Sequence, residues 1–311
     1  MTSSSIDNSV LIVGSVALDS VETPTGKVER ALGGAAVYSS VAASFFSPVR
    51  MVGVVGEDFP KEHLDYLNSR NIDTRGIQIV PGGKTFHWAG SYEGDMNQAN
   101  THATELNVFE SFAPVLPEDY RSSSFVFLAN IDPELQLKVL DQVNSPKLTA
   151  CDTMNFWIST KKDALLEVLK RVDIVFINDA EARQLMETAN LTKAAGAIHD
   201  LGPKYVVVKK GEHGAVMYCS ESMCFAAASY PLEEVADPTG AGDSFAGGFM
   251  GYLASNGELT EANIRKAVVY GSTLASYNVQ DFSLNRFKRL TIRDISDRYE
   301  EFRKIVFFEA S

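Results

Sequence analysis

The chain lacks the features that mark several classes of protein. No apolar run approaches the roughly 18 residues of a membrane-spanning helix, and residues 1–8 lack the basic-then-apolar order of a secretory signal. Basic residues are in the minority, because 28 Lys and Arg stand against 40 Asp and Glu, a formal net charge of −12. This charge argues against a general nucleic-acid or anionic-membrane binder. We expect a cytoplasmic protein with no nucleic-acid or membrane partner.

Cysteine is scarce, and two common nucleotide-binding motifs are missing. Cys151, Cys219 and Cys224 are odd in number and have no metal-ligand spacing, which predicts reduced thiols rather than a disulfide framework. The sequence contains no GxxxxGK[ST] phosphate loop and no GxGxxG fingerprint. These absences argue against a P-loop nucleotidase and against a dinucleotide enzyme of the usual type.

Short apolar runs alternate with helical stretches along the chain. Strands are predicted at residues 10–14, 49–55, 125–128, 148–151, 174–177 and 205–208, and helices at 59–70, 133–143, 161–171 and 180–188. Continuous apolar runs suit strands that are buried on both faces. The pattern predicts an α/β fold with a doubly wound, mostly parallel sheet flanked by helices, in a single domain over residues 1–311.

Two segments break this alternation. Residues 19–31 and 76–108 are polar with interleaved apolar residues, and the second segment holds turn signals at Gly82-Gly83 and Gly94-Asp95. We interpret both segments as β-strands that have no helical partner.

The most specific motif is DPTGAGDSF, which begins at Asp237. Gly240, Ala241 and Gly242 carry little or no side chain, so successive backbone N–H groups can point at one anion. The small apolar run after the motif predicts a helix, whose N-terminal dipole favours the same anion. Asp243 adds a carboxylate at the mouth of this anion site. Phosphoryl transfer to a hydroxyl needs such an arrangement.

Other polar residues follow the predicted strands. Asp19 comes just after the first strand, where a carboxylate can accept hydrogen bonds from vicinal hydroxyls or can serve as a turn or cap residue. Asn178 and Glu181 lie three residues apart on the first turn of a predicted helix. Their oxygens suit a partly hydrated Mg²⁺, but taken alone this pattern is more often a helix cap followed by acidic residues.

Together these motifs resemble the ribokinase-like (PfkB) family of carbohydrate and nucleoside kinases, in the family's order and over nearly the whole chain. DPTGAGDSF is similar to its second signature, and the residues from Leu32 to Tyr38 to its first. The resemblance implies an ATP-dependent phosphotransferase with an alcohol acceptor. It also implies a small β-sheet lid built from residues 19–31 and 76–108. Asp243 is then the general base, and the backbone of Gly240, Ala241 and Gly242 forms the anion hole.

The resemblance also implies residues that bind the acceptor. Asp19, Gly33 and Gly34 would hold its hydroxyl groups. Many members have an Asn a few residues after the glycines, whereas this chain has Val37 and Tyr38. Tyr38 either contacts the acceptor through its phenol or packs inside the helix. Trp88 of the lid either stacks on a nucleobase or belongs to the packing face of the lid.

For ATP and its cations, the resemblance implies a second set of residues. The ATP-binding residues are then Lys209, Gly211, Gly214, Thr239, Gly240, Gly242, Ala275 and Asn278. Asn178 and Glu181 would order Mg²⁺ through water, and Asp237 would help to bind a monovalent cation such as K⁺.

The acceptor is the least determined part of the interpretation. We expect a kinase for a hydroxyl of a small sugar or polyol, with a nucleoside kinase as the alternative. A non-catalytic ligand sensor on the same fold is a more distant alternative. Many relatives pair through their lids, so we also expect a homodimer formed through the lid.

Overall fold

The computed structural model describes residues 7–94, 96–219 and 222–307. Asp95, half of the second turn signal, and the side chain of Cys224 lie outside the described part. Cys151 is buried, Cys219 is half-buried, and both are free thiols. None of the helices in the described ranges is long and apolar enough to cross a membrane.

The described chain contains the following strands and helices. The strands are β1 (Val10–Val13), β2 (Ala17–Thr23), β3 (Gly26–Gly33), β4 (Val49–Gly56), β5 (Ile72–Val80), β6 (Phe86–Tyr92), β7 (Ala99–Glu105), β8 (Phe125–Leu128), β9 (Leu148–Asp152), β10 (Ile174–Asn178), β11 (Tyr205–Lys209), β12 (Ala215–Cys219) and β13 (Ser222–Ala227). The helices are α1 (Ala35–Ala43), α2 (Lys61–Ser69), α3 (Pro133–Leu140), α4 (Asn155–Thr160), α5 (Lys162–Leu169), α6 (Asp179–Leu185), α7 (Leu191–His199), α8 (Ala241–Asn256), α9 (Glu261–Asn278), α10 (Asn285–Arg289) and α11 (Ile292–Val306).

The main sheet has the strand order β13-β12-β11-β10-β9-β8-β1-β4-β5. The run from β11 to β5 is parallel, and β12 and β13 add an antiparallel edge. Helices cover both faces, so two apolar cores form, one on each side of the sheet. The predicted doubly wound α/β fold with a small second sheet is confirmed.

Helix α8 packs closely against α1 because of two glycines one turn apart. A Cβ on Gly247 would lie 2.1 Å from the carbonyl oxygen of Ser39, and one on Gly251 would lie 2.6 Å from that of Ala43. The absence of both side chains lets the two helix backbones meet. The N-terminus of α8 is thereby brought beside the first turn of α1, where the site is built.

The small sheet has the order β3-β2-β6-β7. Two antiparallel hairpins, β2–β3 and β6–β7, are joined by parallel pairing of β2 with β6. The predicted second lid segment began too early, because residues 76–80 pair with β4 and belong to the main sheet. The small sheet starts its second hairpin only at Phe86.

Candidate active site

The DPTGAGD loop ends in the first turn of α8. Gly240 is the N-cap, and its φ of 75° lies in the left-handed region that glycine tolerates. The ring of Tyr38 covers it so closely that a Cβ would lie 2.3 Å from a ring carbon. Asp243 stands in the first helical turn, half-buried. Because first-turn N–H groups have no partner within a helix, Gly242 and Asp243 present donors beside this carboxylate.

Lys209 approaches the same turn from the carboxyl end of β11. A Cβ on Gly242 would lie 2.9 Å from its Nζ atom, so the glycine leaves room for the ammonium group. The Nζ of Lys209 also lies 2.6 Å from Oδ2 of Asp152, in a buried ion pair at the end of β9. The remaining Asp152 oxygen accepts a hydrogen bond from the N–H of Thr153. Lys209 is thus anchored in the protein while it faces the predicted anion hole.

Asn178 and Glu181 form a reciprocal helix cap at the start of α6. The Asn178 side chain accepts a hydrogen bond from the Glu181 N–H at 2.8 Å, and Glu181 accepts one from the Asn178 N–H at 2.9 Å. Burial raises the pKa of Glu181 to about 7, and the charge of Lys209 opposes that rise. The pair therefore has a structural role, and its predicted role with Mg²⁺ stays a prediction.

Asp243 has the pKa expected of a base that works near neutral pH. Loss of solvent contact and, less strongly, the negative charge of Asp152 raise the pKa of its carboxyl to about 7, against the opposing positive charge of Lys209. A carboxyl with a pKa in this range can accept a proton near neutral pH.

The predicted acceptor residues meet at the start of β2 and α1. Asp19 is buried, and its Oδ2 atom accepts a hydrogen bond from the N–H of Gly34 at 3.3 Å. A Cβ on Gly33 would lie 1.9 Å from the same oxygen, so only glycine leaves room for this carboxylate. Burial, together with the charges of Asp237 and Asp243, raises the pKa of Asp19 to about 7, and the hydrogen bond from Gly34 opposes that rise. A negative charge on Asp243 thus makes ionisation of Asp19 less favourable.

Residues of β6 and of the turn after it lie beside the predicted acceptor and ATP residues. Trp88 pairs in register with Asp19 across β2 and β6, so the two side chains project from the same face. Tyr92, at the end of β6, accepts a long hydrogen bond of 3.4 Å from the hydroxyl of Thr239. In the turn after β6, the side-chain oxygen of Asn97 approaches Gly211, where a Cβ would lie 2.8 Å from it. The β6–β7 hairpin thus extends from the acceptor residues to the turn predicted to bind ATP.

Asp237 and Asn278 stabilise the conformation of the DPTGAGD loop through buried hydrogen bonds. Asp237 is fully buried, and its two carboxylate oxygens accept hydrogen bonds from the N–H groups of Thr239, at 2.9 Å, and Ser283, at 3.1 Å. The side-chain amide of Asn278 donates to the carbonyl of Thr239 at 2.7 Å. Within the described residues the Oδ1 atom of Asn278 is buried without a hydrogen-bond partner. Their predicted contacts with a cation and with ATP stay predictions.

The remaining predicted ATP residues lie around the turn between β11 and β12. Gly211 and Gly214 bound a short 3₁₀ turn, which the Lys210 N–H closes onto the carbonyl of Gly214 at 2.8 Å. Ala275 is partly exposed on the last turns of α9. The hydrogen bond of the Ala236 N–H with the Val279 carbonyl ties the end of that helix to the DPTGAGD loop.

Asp152 and Tyr92 were missed by the sequence interpretation. An acidic residue after a buried strand was a usable signal for Asp152, because the carboxyl ends of parallel strands line the ligand-binding edge of such sheets. Its partner Lys209 lies 57 residues further along the chain, so no local spacing reveals the pair. Tyr92 stands among polar strand residues, and nothing in its immediate sequence distinguishes it.

The chain is similar to known kinases in sequence and in fold. The chain is 34% identical over 261 residues to a cytidine kinase of Thermococcus kodakarensis, covering 82% of this chain and 92% of that protein. Its fold is similar to the crystal structure of a Methanocaldococcus jannaschii nucleoside kinase, with a TM-score of 0.76, 21% identity and coverage of 94% and 98%. An Escherichia coli protein named ribokinase II, solved with ATP and Mg²⁺, has a TM-score of 0.76, 19% identity and the same coverage.

The family assignment follows from the extent of the match. The model of the pfkB family of carbohydrate kinases matches residues 7–288, which is most of the chain. The chain therefore belongs to the pfkB family, whose members are phosphotransferases that act on hydroxyl groups.

Proposed function

We propose that this kinase transfers the γ-phosphoryl group of ATP to a ribose hydroxyl of a nucleoside, with Asp243 as general base. The observation that carries the proposal is the convergence of Asp243, the left-handed Gly240 and the ammonium group of Lys209 at the N-terminus of α8. A carboxylate, backbone N–H donors and an ammonium group lie together here, and under the proposal they act as base, anion hole and cation. In-line phosphoryl transfer needs all three.

Asp243 takes the proton of the attacking hydroxyl. Its pKa of about 7 lets it exist as a carboxylate at neutral pH and still bind a proton strongly enough to assist the attack. The free N–H groups of Gly242 and Asp243 stabilise the charge on the transferring group. Lys209 adds a positive charge beside them, held in place by Asp152.

The residues present suit Mg²⁺ held mainly by phosphates and water. Within the described ranges no group of three or more His, Cys, Asp or Glu side chains is arranged to hold a metal ion alone. Glu181 supplies a buried carboxylate near Lys209 and Asp152, and Mg²⁺ commonly needs only one or two such ligands beside phosphates. When bound, Mg²⁺ would neutralise the phosphate charge, with Asn178 and Glu181 orienting its waters.

ATP would lie along the edge formed by Lys209, Gly211 and Gly214, with its phosphates at Thr239 and the anion hole. Ala275 and Asn278 of α9 would border its base. A monovalent cation such as K⁺ would bind beside Asp237. It would offset the cost of burying the charged carboxylate, which raises the pKa of this group, and the Asn278 Oδ1 atom, which has no partner among the described residues, offers a second oxygen. The cation would stabilise the loop rather than take part in proton transfer.

The acceptor would lie between Asp19, the backbone of Gly33 and Gly34, and the small sheet. Vicinal hydroxyls of a ribose can share the Asp19 carboxylate. Trp88 lies on the same face, where its indole can stack on a base. The name and identity of the Thermococcus relative support a nucleoside over the free sugar.

A free sugar or polyol is the second candidate. The contacts of Asp19, Gly33 and Gly34 recognise hydroxyl groups that a nucleoside shares with free ribose, so this part of the site does not separate the two. A ligand sensor is disfavoured, because a sensor needs neither Asp243 nor Lys209 at the anion hole. We also propose a cytoplasmic homodimer that pairs through the small sheet, which sedimentation of the purified protein tests.

Purified protein with Mg²⁺-ATP and a panel of acceptors tests the proposal. The panel contains cytidine, uridine, adenosine, inosine, D-ribose and D-fructose, and ADP and phosphorylated product are both measured. We expect transfer to at least one nucleoside with a kcat/KM about tenfold or more above that for D-ribose. Preference for a free sugar would overturn the nucleoside assignment but leave the assignment of kinase activity intact. ATP turnover with no phosphorylated acceptor would overturn both.

A further inference from the structure

Tyr38 is a buried phenol whose hydroxyl has no hydrogen-bond partner among the described residues. Its side chain is 1% exposed, on the first turns of α1. A buried polar group left unpaired costs about 1–3 kcal/mol of stability. Phenylalanine would fill the same space without that cost. The hydroxyl therefore needs an explanation beyond packing.

Tyr38 lies between the predicted acceptor residues and the DPTGAGD loop. The ring lies on Gly240, the residue that starts the anion hole, and the Tyr38 N–H bonds to the carbonyl of Gly34 at 3.1 Å. Tyr38 thus bridges the acceptor-binding glycines and the catalytic loop. The negative charges of Asp19, Asp237 and Asp243 and the loss of solvent hold its pKa well above the usual value. The phenol is therefore neutral and acts as a hydrogen-bond donor.

A donor among carboxylates selects a particular group on the ligand. A hydroxyl can accept a hydrogen bond from Tyr38 and donate its own proton to Asp19, so it satisfies both residues. An ammonium group cannot accept, and a deoxy carbon can do neither. A site built to pair with a hydroxyl rejects the analogue that lacks it, because the protein's polar groups are then left unpaired.

We propose that Tyr38 is a specificity-determining residue, whose phenol donates a hydrogen bond to one ribose hydroxyl of the acceptor and thereby discriminates ribosides from deoxyribosides. The inference rests on the proposed transfer to an acceptor at this site. It assigns to Tyr38 a contact that an Asn makes in many relatives.

Tyr38→Phe isolates the hydroxyl, because the ring that covers Gly240 remains. Tyr66→Phe is the matched control: the Tyr66 hydroxyl on α2 is also buried without a partner within the described residues, and Tyr66 lies outside the proposed site. Removing an unpaired hydroxyl should leave the melting temperature of the ligand-free protein unchanged or slightly raised in both variants.

The test measures binding and turnover of cytidine, 2′-deoxycytidine and 3′-deoxycytidine by wild type and both variants, with D-ribose and 2-deoxy-D-ribose as a second set. In Tyr38→Phe we expect the KM for the riboside to rise about tenfold while the KM for ATP is unchanged. The preference for cytidine over one of its two deoxy analogues should shrink by the same factor. Tyr66→Phe should match wild type.

The outcomes separate the inference from the proposed function. If wild type binds and phosphorylates an acceptor and Tyr38→Phe keeps its full preference for the hydroxyl, the role of Tyr38 is overturned and the kinase stands. Equal loss of affinity for riboside and deoxyriboside would also overturn it. The Tyr38 hydroxyl would then affect the conformation of the protein and not the recognition of a ligand hydroxyl. If wild type neither binds nor phosphorylates any member of either set, the proposed acceptor site and this inference both fail.

Discussion

The Nζ atom of Lys209 and the Oδ2 atom of Asp152 lie 2.6 Å apart, in a buried ion pair beside the first turn of α8. The two charges act on Asp243 with opposite sign. Asp152 raises the pKa of the Asp243 carboxyl, and Lys209 lowers it. The pair therefore sets the pH at which the proposed base becomes active, in addition to placing a cation at the anion hole.

Removing either charge of the pair should shift the acidic limb of the pH profile in a defined direction. Asp152→Asn removes a negative charge, so the pKa of Asp243 falls and kcat/KM for the acceptor is retained to lower pH. Lys209→Met removes a positive charge, so the limb moves to higher pH. Profiles at saturating Mg²⁺-ATP measure both shifts, with Lys210→Met as the control for a neighbouring lysine. Shifts of the same sign in both variants would contradict the account.

Three carboxyls with raised pKa values should make the ligand-free protein less stable as the pH rises. Asp19, Glu181 and Asp243 have pKa values of about 7, above the ordinary values of 3.8 to 4.5, so the folded state binds more protons than the unfolded chain between these limits. Their contribution to stability is complete below about pH 4 and is lost as the pH rises through 7.

Asp243→Asn tests this linkage. The variant should melt at a higher temperature than wild type at pH 8, and the difference should shrink toward pH 5. Thermal unfolding at several pH values measures the difference, with Asp297→Asn as the control because Asp297 is exposed on α11. A difference that grows as the pH falls would show that the sign is wrong.

Alanine at the two loop glycines should have unequal effects. At Gly240 a Cβ meets the Tyr38 ring and the φ of 75° becomes strained, so we expect a loss of about 1–3 kcal/mol of unfolding free energy and at least a tenfold loss of kcat. At Gly242 the Cβ would lie 2.9 Å from the Lys209 Nζ atom, which the ion pair with Asp152 holds in place, but no strained φ is added, so we expect a smaller loss of stability than at Gly240. Denaturant unfolding and steady-state kinetics compare the two. Equal effects would argue against the close packing at Gly240.

Trp88→Ala should separate nucleoside from sugar recognition. If the indole stacks on a base, its loss should raise the KM for the nucleoside by about tenfold, with the KM for D-ribose unchanged. Because the ring also covers Gly90 in β6, the melting temperature is measured alongside. An equal rise in both KM values would assign Trp88 to the packing of the small sheet.

The strands of the main sheet could be predicted from the sequence because they are buried on both faces. β8 was placed at its observed bounds, and β9 differs only in including Asp152. The small sheet was harder, because its half-exposed strands lack a continuous apolar run. The first residues of its second predicted segment, 76–80, continue β5 without a break and pair with β4.

The site was predictable only where its residues are close in sequence. DPTGAGD contains the proposed base and the proposed anion hole in one segment, and the resemblance extended the prediction to Asp19 and Lys209. The contact of Tyr38 with Gly240 and the Lys209–Asp152 pair depend on α1, α8 and the strand ends meeting in space. No local sequence pattern predicts either contact. The contact of Tyr38 with Gly240 depends on the close approach of α1 and α8, which follows from Gly247 and Gly251 further along α8.

The most direct test is the phosphoryl-transfer rate of Asp243→Asn with the best acceptor of the panel. Loss of a general base predicts that kcat falls by roughly 10²–10⁴. Binding of a non-hydrolysable ATP analogue, measured by calorimetry, should stay within about threefold of wild type, since the backbone donors and Lys209 remain. Turnover near the wild-type rate in a folded, ATP-binding Asp243→Asn variant would contradict the account.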